Sequence, residues 1–256
     1  MATWDPTRYL HFADERSRPF VELVDRVDVK ARRIADLGCG PGHLTALLRA
    51  RWPEAAIEGV DSSPEMIERA AAGDADPAVT YTWADLRDWA AEPPLDLIVS
   101  NAAFQWVPDH LEILPRLADQ VAPGGGFAFS VPGNFDAPSH RLLDELAATE
   151  PFADHTQEQA GPAAHDAATY LGLFAGRGWQ VDAWETTYLH VLTGEDPVYT
   201  WISGTGARPV LQALPDELRP VFVRRFKASL RQAYPAREWG TILPFRRIFV
   251  VARRPA

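Results

Sequence analysis

The stretch Ala35-Asp36-Leu37-Gly38-Cys39-Gly40-Pro41-Gly42-His43 decides how this chain is read. Its first residues close the short run Arg33–Leu37 (RIADL), which predicts a strand. Leu44, Leu47 and Leu48 follow at helical spacing. A strand that passes through glycines into a helix is a ligand-binding turn, because Gly38 and Gly40 let the backbone reverse sharply and approach a ligand closely. His43 stands where the dinucleotide fingerprint G-x-G-x-x-G has its third glycine, which weakens a phosphate-binding reading. No Lys-Ser/Thr pair follows, as a P-loop would require.

Working outward, strands alternate with amphipathic segments, the pattern of a mainly parallel α/β sheet. Ala56–Asp61 (AIEGVD) is the second strand, with Asp61 at its carboxyl end. Ser62 and Glu65 fit a capping box on the helix that follows, and Pro64 fits its first turn. Further strands are expected at Val79–Trp83, Leu95–Ser100 and Phe127–Val131. The helix marked by Leu111, Leu114, Leu117, Ala118 and Val121 is expected to stop at Pro123-Gly124-Gly125-Gly126. Gln180–Val191 and Phe245–Arg253 read as two longer strands that suit an antiparallel pair at the end of the sheet. Residues 1–32 are expected to form an N-terminal lid and first helix, 33–132 the α/β core, and 133–256 helical cap segments with the last strands of the same sheet.

Composition narrows the function classes. With 35 acidic against 25 basic side chains, a net charge of -10, the overall field repels nucleic acid and anionic membrane, so an anionic substrate needs a local cationic pocket. The single cysteine, Cys39, cannot form an internal disulfide, and no charged, apolar and small-residue leader opens the chain; a cytoplasmic setting is expected. No apolar run is long enough to span a bilayer.

Three acids flank the turn: Asp36 before it, Asp61 after the second strand and Asp85 after the third. Asp61 can accept ribose hydroxyls, Asp85 an adenine amino hydrogen, and Asp36 can face an ammonium or sulfonium. Acids without a phosphate clamp suit a cationic nucleoside, S-adenosyl-L-methionine, with S-adenosyl-L-homocysteine as its product.

At these residues the sequence resembles the class I methyltransferases. DLGCGPG matches their first motif, VDSSPEMI their second and ADLRDW their adenine-contact motif. The resemblance implies a seven-stranded, mainly parallel Rossmann-like sheet with helices on both faces and a helical substrate cap. It also implies cofactor contacts from Gly38, Gly40, Asp61, Ser62, Met66, Asp85, Leu86 and Asn101, beside Asp36 and the backbone of Cys39. Met66 fits a core-facing helix position equally well. A finer resemblance, carried by WDPTRYLHFADERSRP, SNAAFQWVPDH, VPGNF, VDAWETTYLH and PFRRIFVVARR, is to the trans-aconitate methyltransferases, and it spans nearly the whole chain.

That resemblance implies esterification of one carboxylate of trans-aconitate or a similar small polycarboxylate. Arginine forks suit the spectator carboxylates. The candidates are Arg16 and Arg18, Arg208, and Arg246 or Arg247; strand alternation lets only one of the last pair face the site, and Arg246 is taken. Tyr9, Trp106, Asn134 and Trp201 are candidate walls or hydrogen-bond partners. A carboxylate acceptor is already ionised at neutral pH, so no catalytic base is expected, and no metal. Two other readings stay open: a methyltransferase acting on a phenol or amine, for which His11 or His110 would serve as base, and a non-catalytic S-adenosylmethionine-binding regulator. A monomer or weak homo-oligomer is expected.

Overall fold

A computed structural model describes residues 13–157 and 161–256. Among these, seven strands form one sheet: β1 (Arg33–Leu37), β2 (Ala56–Asp61), β3 (Val79–Trp83), β4 (Leu95–Asn101), β5 (Val121–Pro132), β6 (Gln180–Leu192) and β7 (Thr241–Arg253). Their spatial order is β3-β2-β1-β4-β5-β7-β6. β1 pairs in parallel with both β2 and β4, β2 with β3, and β4 with β5, whereas β5 and β7 are antiparallel from Gly126↔Arg253 to Pro132↔Arg247. From β1 the chain builds outward in one direction to β2 and β3, then returns to β1's other side with β4. That reversal opens a crevice at the carboxyl ends of β1 and β4, where open α/β sheets bind ligands.

The chain divides into two compact units. The first comprises Ala13–Pro132, Ala164–Thr186 and Arg247–Ala256. It holds α1 (Ala13–Asp25), α2 (Thr45–Arg51), α3 (Pro64–Gly73), α4 (His110–Ala118) and α7 (Ala167–Ala175). In β1, Ile34 to Leu37 are all buried, as in a parallel strand covered on both sides, so it reads as an unbroken run and not an alternating one. Phe104, Phe127, Phe129, Tyr170 and Phe174 anchor the core of this unit; each is at most 1% exposed. Burial of each such side chain contributes about 1.5–3 kcal/mol before entropy is counted. Phe20, Leu23, Val24 and Val27 form the buried stripe of α1 and the turn after it. The helix itself starts at Ala13, so residues 13–18 of the expected lid segment are helical.

The second unit comprises, among the described residues, Gly133–Ala163 and Thr187–Arg246. It contains α5 (Pro138–Ala147), the single turn α6 (Ala153–Thr156), α8 (Pro197–Ser203), α9 (Arg208–Ala213) and α10 (Arg219–Ala233). Phe152, Trp201, Ile202, Phe222 and Phe226 lie in its own apolar core. A buried carboxylate, Asp196, is neutralised inside it by Arg231 at 2.6 and 2.9 Å and by Lys227 at 3.1 Å.

Two local expectations are corrected. The Pro-Gly-Gly-Gly run does not stop a helix. α4 ends at Ala118, Val121 is already strand, and β5 takes in all three glycines. The register against β4 slips between Leu95 and Leu97, and a Cβ on Gly125 would press on the Asp96 and Ala122 carbonyls, so the glycines carry an irregular strand start. The cap of α3 is Ser63, not Ser62. Ser63 Oγ accepts the Met66 amide at 3.3 Å and donates to Glu65 at 2.7 Å, which shifts the capping position by one residue and leaves Ser62 exposed.

Candidate active site

The glycine turn is tied to β2 at every step. The Gly38 and Cys39 amides donate to the Val60 carbonyl at 2.7 and 3.0 Å, and the Gly40 amide donates to Asp61 Oδ2 at 2.9 Å. The other carboxylate oxygen, Asp61 Oδ1, accepts the Ser63 amide at 2.9 Å. One side chain therefore fixes both the turn after β1 and the entry to α3. Gly38 (φ +76°) and Gly40 (φ +56°) occupy the left-handed region. A Cβ on Gly38 would collide with the Ala103 Cβ, whereas one on Gly40 would meet no atom of the described residues within 4 Å. Gly40 thus borders open space at the crevice, a cradle whose floor is backbone.

Charge in the turn is unusual. Asp36 is buried, and burial pushes its carboxyl up to about 7; the Thr45 hydroxyl, donating to Oδ2 at 3.2 Å, pulls the other way, and nearby Asp61 adds to the rise. Burial also raises Asp61, against the hydrogen bonds from Ser63, Gly40 and Ser62 that favour its ion. Burial first, then Asp36 and Asp61, pushes the Cys39 thiol upward, so it stays protonated at neutral pH and contributes shape. A turn lined by two carboxyls that burial disfavours as ions gains most from a cationic ligand.

The remaining positions expected to face a cofactor are placed as follows. Met66 is 4% exposed on α3, and Leu86 is buried in the core of the first unit. Asp85 is half-buried and held below the usual carboxylate range by Arg87, which grips both oxygens at 2.6 to 3.2 Å. Asn101, at the end of β4, is buried and accepts Ser130 Oγ at 2.6 Å. Two contributors escaped the sequence reading. Thr45 follows Leu44 in the expected helix with no motif to mark it, and Gln105 lies within SNAAFQWVPDH beside the candidate Trp106. Gln105 is 5% exposed; its Nε2 donates to the Ala102 carbonyl at 2.5 Å, and its Oε1 has no hydrogen-bond partner among the described residues.

The family model "Methyltransferase domain" matches residues 9–183. The chain is 50% identical over 263 residues to the trans-aconitate 2-methyltransferase of Streptomyces avermitilis, covering 99% of this chain and 98% of that one. It is 49% identical to the enzyme of the same name from Rhodococcus jostii, covering 98% and 99%. The chain belongs to the trans-aconitate 2-methyltransferase family. In fold it matches the S-adenosylmethionine dependent methyltransferase of Mesorhizobium loti, with a TM-score of 0.53 at 19% identity over 93% of this chain and 98% of that one.

Family membership directs attention to the positions expected to meet an acceptor. Tyr9 lies outside the described residues, and Arg16 falls in the first part of α1. Arg18 is exposed on α1 and its Nε donates to Glu22 at 2.9 Å. Trp106 ends the short 3₁₀ turn Phe104–Trp106 after β4. In the second unit, Trp201 is buried and stacks on His190 (4.7 Å between centroids), with Phe245 edge-on at 5.5 Å. Asn134 is 5% exposed, with Oδ1 lacking a hydrogen-bond partner among the described residues. Arg246 Nε donates to the Gly133 carbonyl at 2.6 Å, so Arg246 braces the residue before Asn134. Arg208 opens α9, two residues after Gly206, where a Cβ would press on His140 Nε2. Arg247 is buried and Arg246 half-buried, as strand alternation separates them.

Among the described residues, no helix is long and apolar enough to cross a membrane and no group of His, Cys, Asp and Glu is placed to hold a metal ion.

Proposed function

We propose that the chain is an S-adenosyl-L-methionine-dependent O-methyltransferase that esterifies one carboxylate of trans-aconitate, releasing S-adenosyl-L-homocysteine. The observation that carries this reading is the 50% identity to the Streptomyces avermitilis enzyme along 99% of the chain, which takes in both units and not the glycine turn alone. The turn fits the cofactor: Gly40 leaves open space, Asp61 is oriented by two amides with lone pairs still available for ribose hydroxyls, and buried Asp36 gains from a neighbouring cation. When bound, S-adenosylmethionine supplies an electrophilic methyl group on sulfur.

The protein's part is to bind, align and exclude water. Asp36, Gly38, Cys39, Gly40, Asp61, Ser62, Met66, Asp85, Leu86 and Asn101 hold the cofactor in this reading. Tyr9, Arg16, Arg18, Trp106, Asn134, Trp201, Arg208 and Arg246 are proposed for the acceptor. An acceptor carboxylate, ordinarily titrating near pH 4, is nucleophilic at neutral pH without a base. His110 is ill suited to be one, because its Nε2 lies 2.7 Å from the Tyr170 hydroxyl inside the core. The single buried cysteine and the acidic surface support a cytoplasmic enzyme, working as a monomer or weak homo-oligomer.

The deciding experiment is a methyl-transfer assay on trans-aconitate, cis-aconitate, isocitrate and citrate, with product mass recorded across pH 6 to 9. The expected result is a trans-aconitate monomethyl ester formed at a saturated rate that is flat with pH. Cofactor binding without turnover of any carboxylate would overturn the reading.

A further inference from the structure

Segment 102–110 is held in an unusual way. Ala102 (φ 57°) and Asp109 (φ 53°) are left-handed although neither is glycine, and they bracket the turn Phe104–Trp106. Such backbone persists only where its surroundings over-determine it. On the β4 side the restraints are plain: the Ala102 amide donates to the Ser130 carbonyl at 2.8 Å, and Gln105 Nε2 donates to the Ala102 carbonyl. Since that carbonyl can only accept, the Gln105 amide is oriented and Oε1 is the atom left without a partner among the described residues.

On the far side a chain of hydrogen bonds, buried at its centre, runs in from α7. The His165 amide lies 3.1 Å from Tyr170 Oη, Tyr170 Oη 2.7 Å from His110 Nε2, and His110 Nδ1 3.3 Å from the Val107 carbonyl. The two ends fix its direction. The Val107 carbonyl demands a proton on Nδ1, and the His165 amide donates to Tyr170, so the Tyr170 hydroxyl donates to Nε2 of a neutral imidazole. Phe104 and Tyr170 stack on that ring, at 6.5 and 5.8 Å between centroids. The groups that could alter its charge are Asp109 on its own turn, His165 before α7 and the Tyr170 hydroxyl.

We propose that His110 and Tyr170 are positioning residues for methyl transfer: they clamp the turn that follows β4, so that Gln105 presents its Oε1 to a hydrogen-bond donor of the bound ligand. This rests on the methyltransferase reading. Neither residue touches the reacting atoms. Their effect passes through Val107 and the turn, which abuts the glycine loop where Ala103 meets Gly38.

Ring-nitrogen NMR of the wild-type protein is expected to show His110 as the Nδ1–H tautomer, unchanged from pH 6 to 8; the Nε2–H tautomer would overturn the clamp without reference to any variant. Tyr170→Phe removes one oxygen atom. Assayed well below its melting temperature, it is expected to lose about 10- to 100-fold in kcat, the scale of a misplaced reacting group, with both KM values within about threefold, and its His110 ring is expected to keep the Nδ1–H that Val107 holds while the Nε2 resonance shifts on loss of its hydroxyl donor. Gln105→Leu, close in volume, is expected to show the same order of loss in turnover. Unchanged kcat in folded Tyr170→Phe, or in Gln105→Leu, overturns the proposal, whereas a wild-type enzyme that methylates no carboxylate overturns the function reading instead.

Discussion

Asp61 Oδ2 accepts the Gly40 amide at 2.9 Å while Oδ1 accepts the Ser63 amide, so the acid that ends β2 is built into the turn that ends β1. A ligand resting on Gly40 and one bonded to Asp61 are therefore the same ligand in the proposed reading. Asp61→Asn keeps one acceptor and loses the charge and the second acceptor. Hydrogen bonds to a charged group are worth about 1.5–3 kcal/mol, so the S-adenosylmethionine dissociation constant is expected to rise about 10- to 100-fold. Titration calorimetry measures it; an unchanged constant removes Asp61 from the cofactor site.

Gly38 and Gly40 separate folding from binding. Both need left-handed backbone, which costs an alanine about 1–2 kcal/mol. At Gly38 the new methyl also meets the Ala103 Cβ, and overpacking adds about 1–3 kcal/mol. Urea unfolding of the ligand-free protein should then rank Gly38→Ala well below Gly40→Ala in stability. Equal losses would show that the segment at Ala103 yields freely.

In the parallel half of the sheet, β1 and β4 are legible because they are buried on both sides and read as apolar runs, β2 and β3 because their short β-branched and aromatic runs lead into polar residues, and Asp61 at the end of β2 marks the crevice. β1, β2 and β3 have the predicted bounds, and β4 extends one residue further. What stayed hidden depends on partners remote in sequence. Nothing near His110 points to Tyr170, sixty positions later, and nothing in Gly-Gly-Gly says whether it ends a helix or loosens a strand. Ser62 and Ser63 are chemically alike as caps, and only the backbone geometry chooses. Arg18, on an exposed face of α1, also pairs with its helical neighbour Glu22, a contact worth a few tenths of a kcal/mol that only the folded helix shows.

Arg246 makes the sharper test among the arginines proposed for the acceptor. Its Nε is committed to the Gly133 carbonyl, which orients the guanidinium. Arg246→Ala is expected to raise the trans-aconitate KM by about 10-fold or more, by loss of a charge-assisted bond, and to leave the cofactor KM within about twofold. Arg246→Lys should recover little, because a point charge replaces a planar fork. Steady-state kinetics with each substrate varied in turn distinguishes these; a rise in the cofactor KM alone would reassign Arg246.

Asp36 predicts how stability responds to pH. Its ordinary value is 3.8, and burial carries it to about 7 in the folded chain, so between those values the folded state binds a proton that the unfolded state has released. The unfolding free energy then falls as pH rises: the contribution is whole below the unfolded value and is lost progressively up to pH 7. At 1.36 kcal/mol per pH unit the loss over this window is about 4 kcal/mol for the ligand-free protein. Asp36→Asn keeps an acceptor for the Thr45 hydroxyl and has nothing to ionise, so its urea-unfolding free energy should be flatter than wild type from pH 4.5 to 7.5. Saturating S-adenosylmethionine should flatten the wild-type profile too, because a cation beside Asp36 favours the ion that burial disfavours. Parallel wild-type and Asp36→Asn profiles would mean that Asp36 is already ionised in the folded turn, and that the ligand-free site is better solvated than its burial implies.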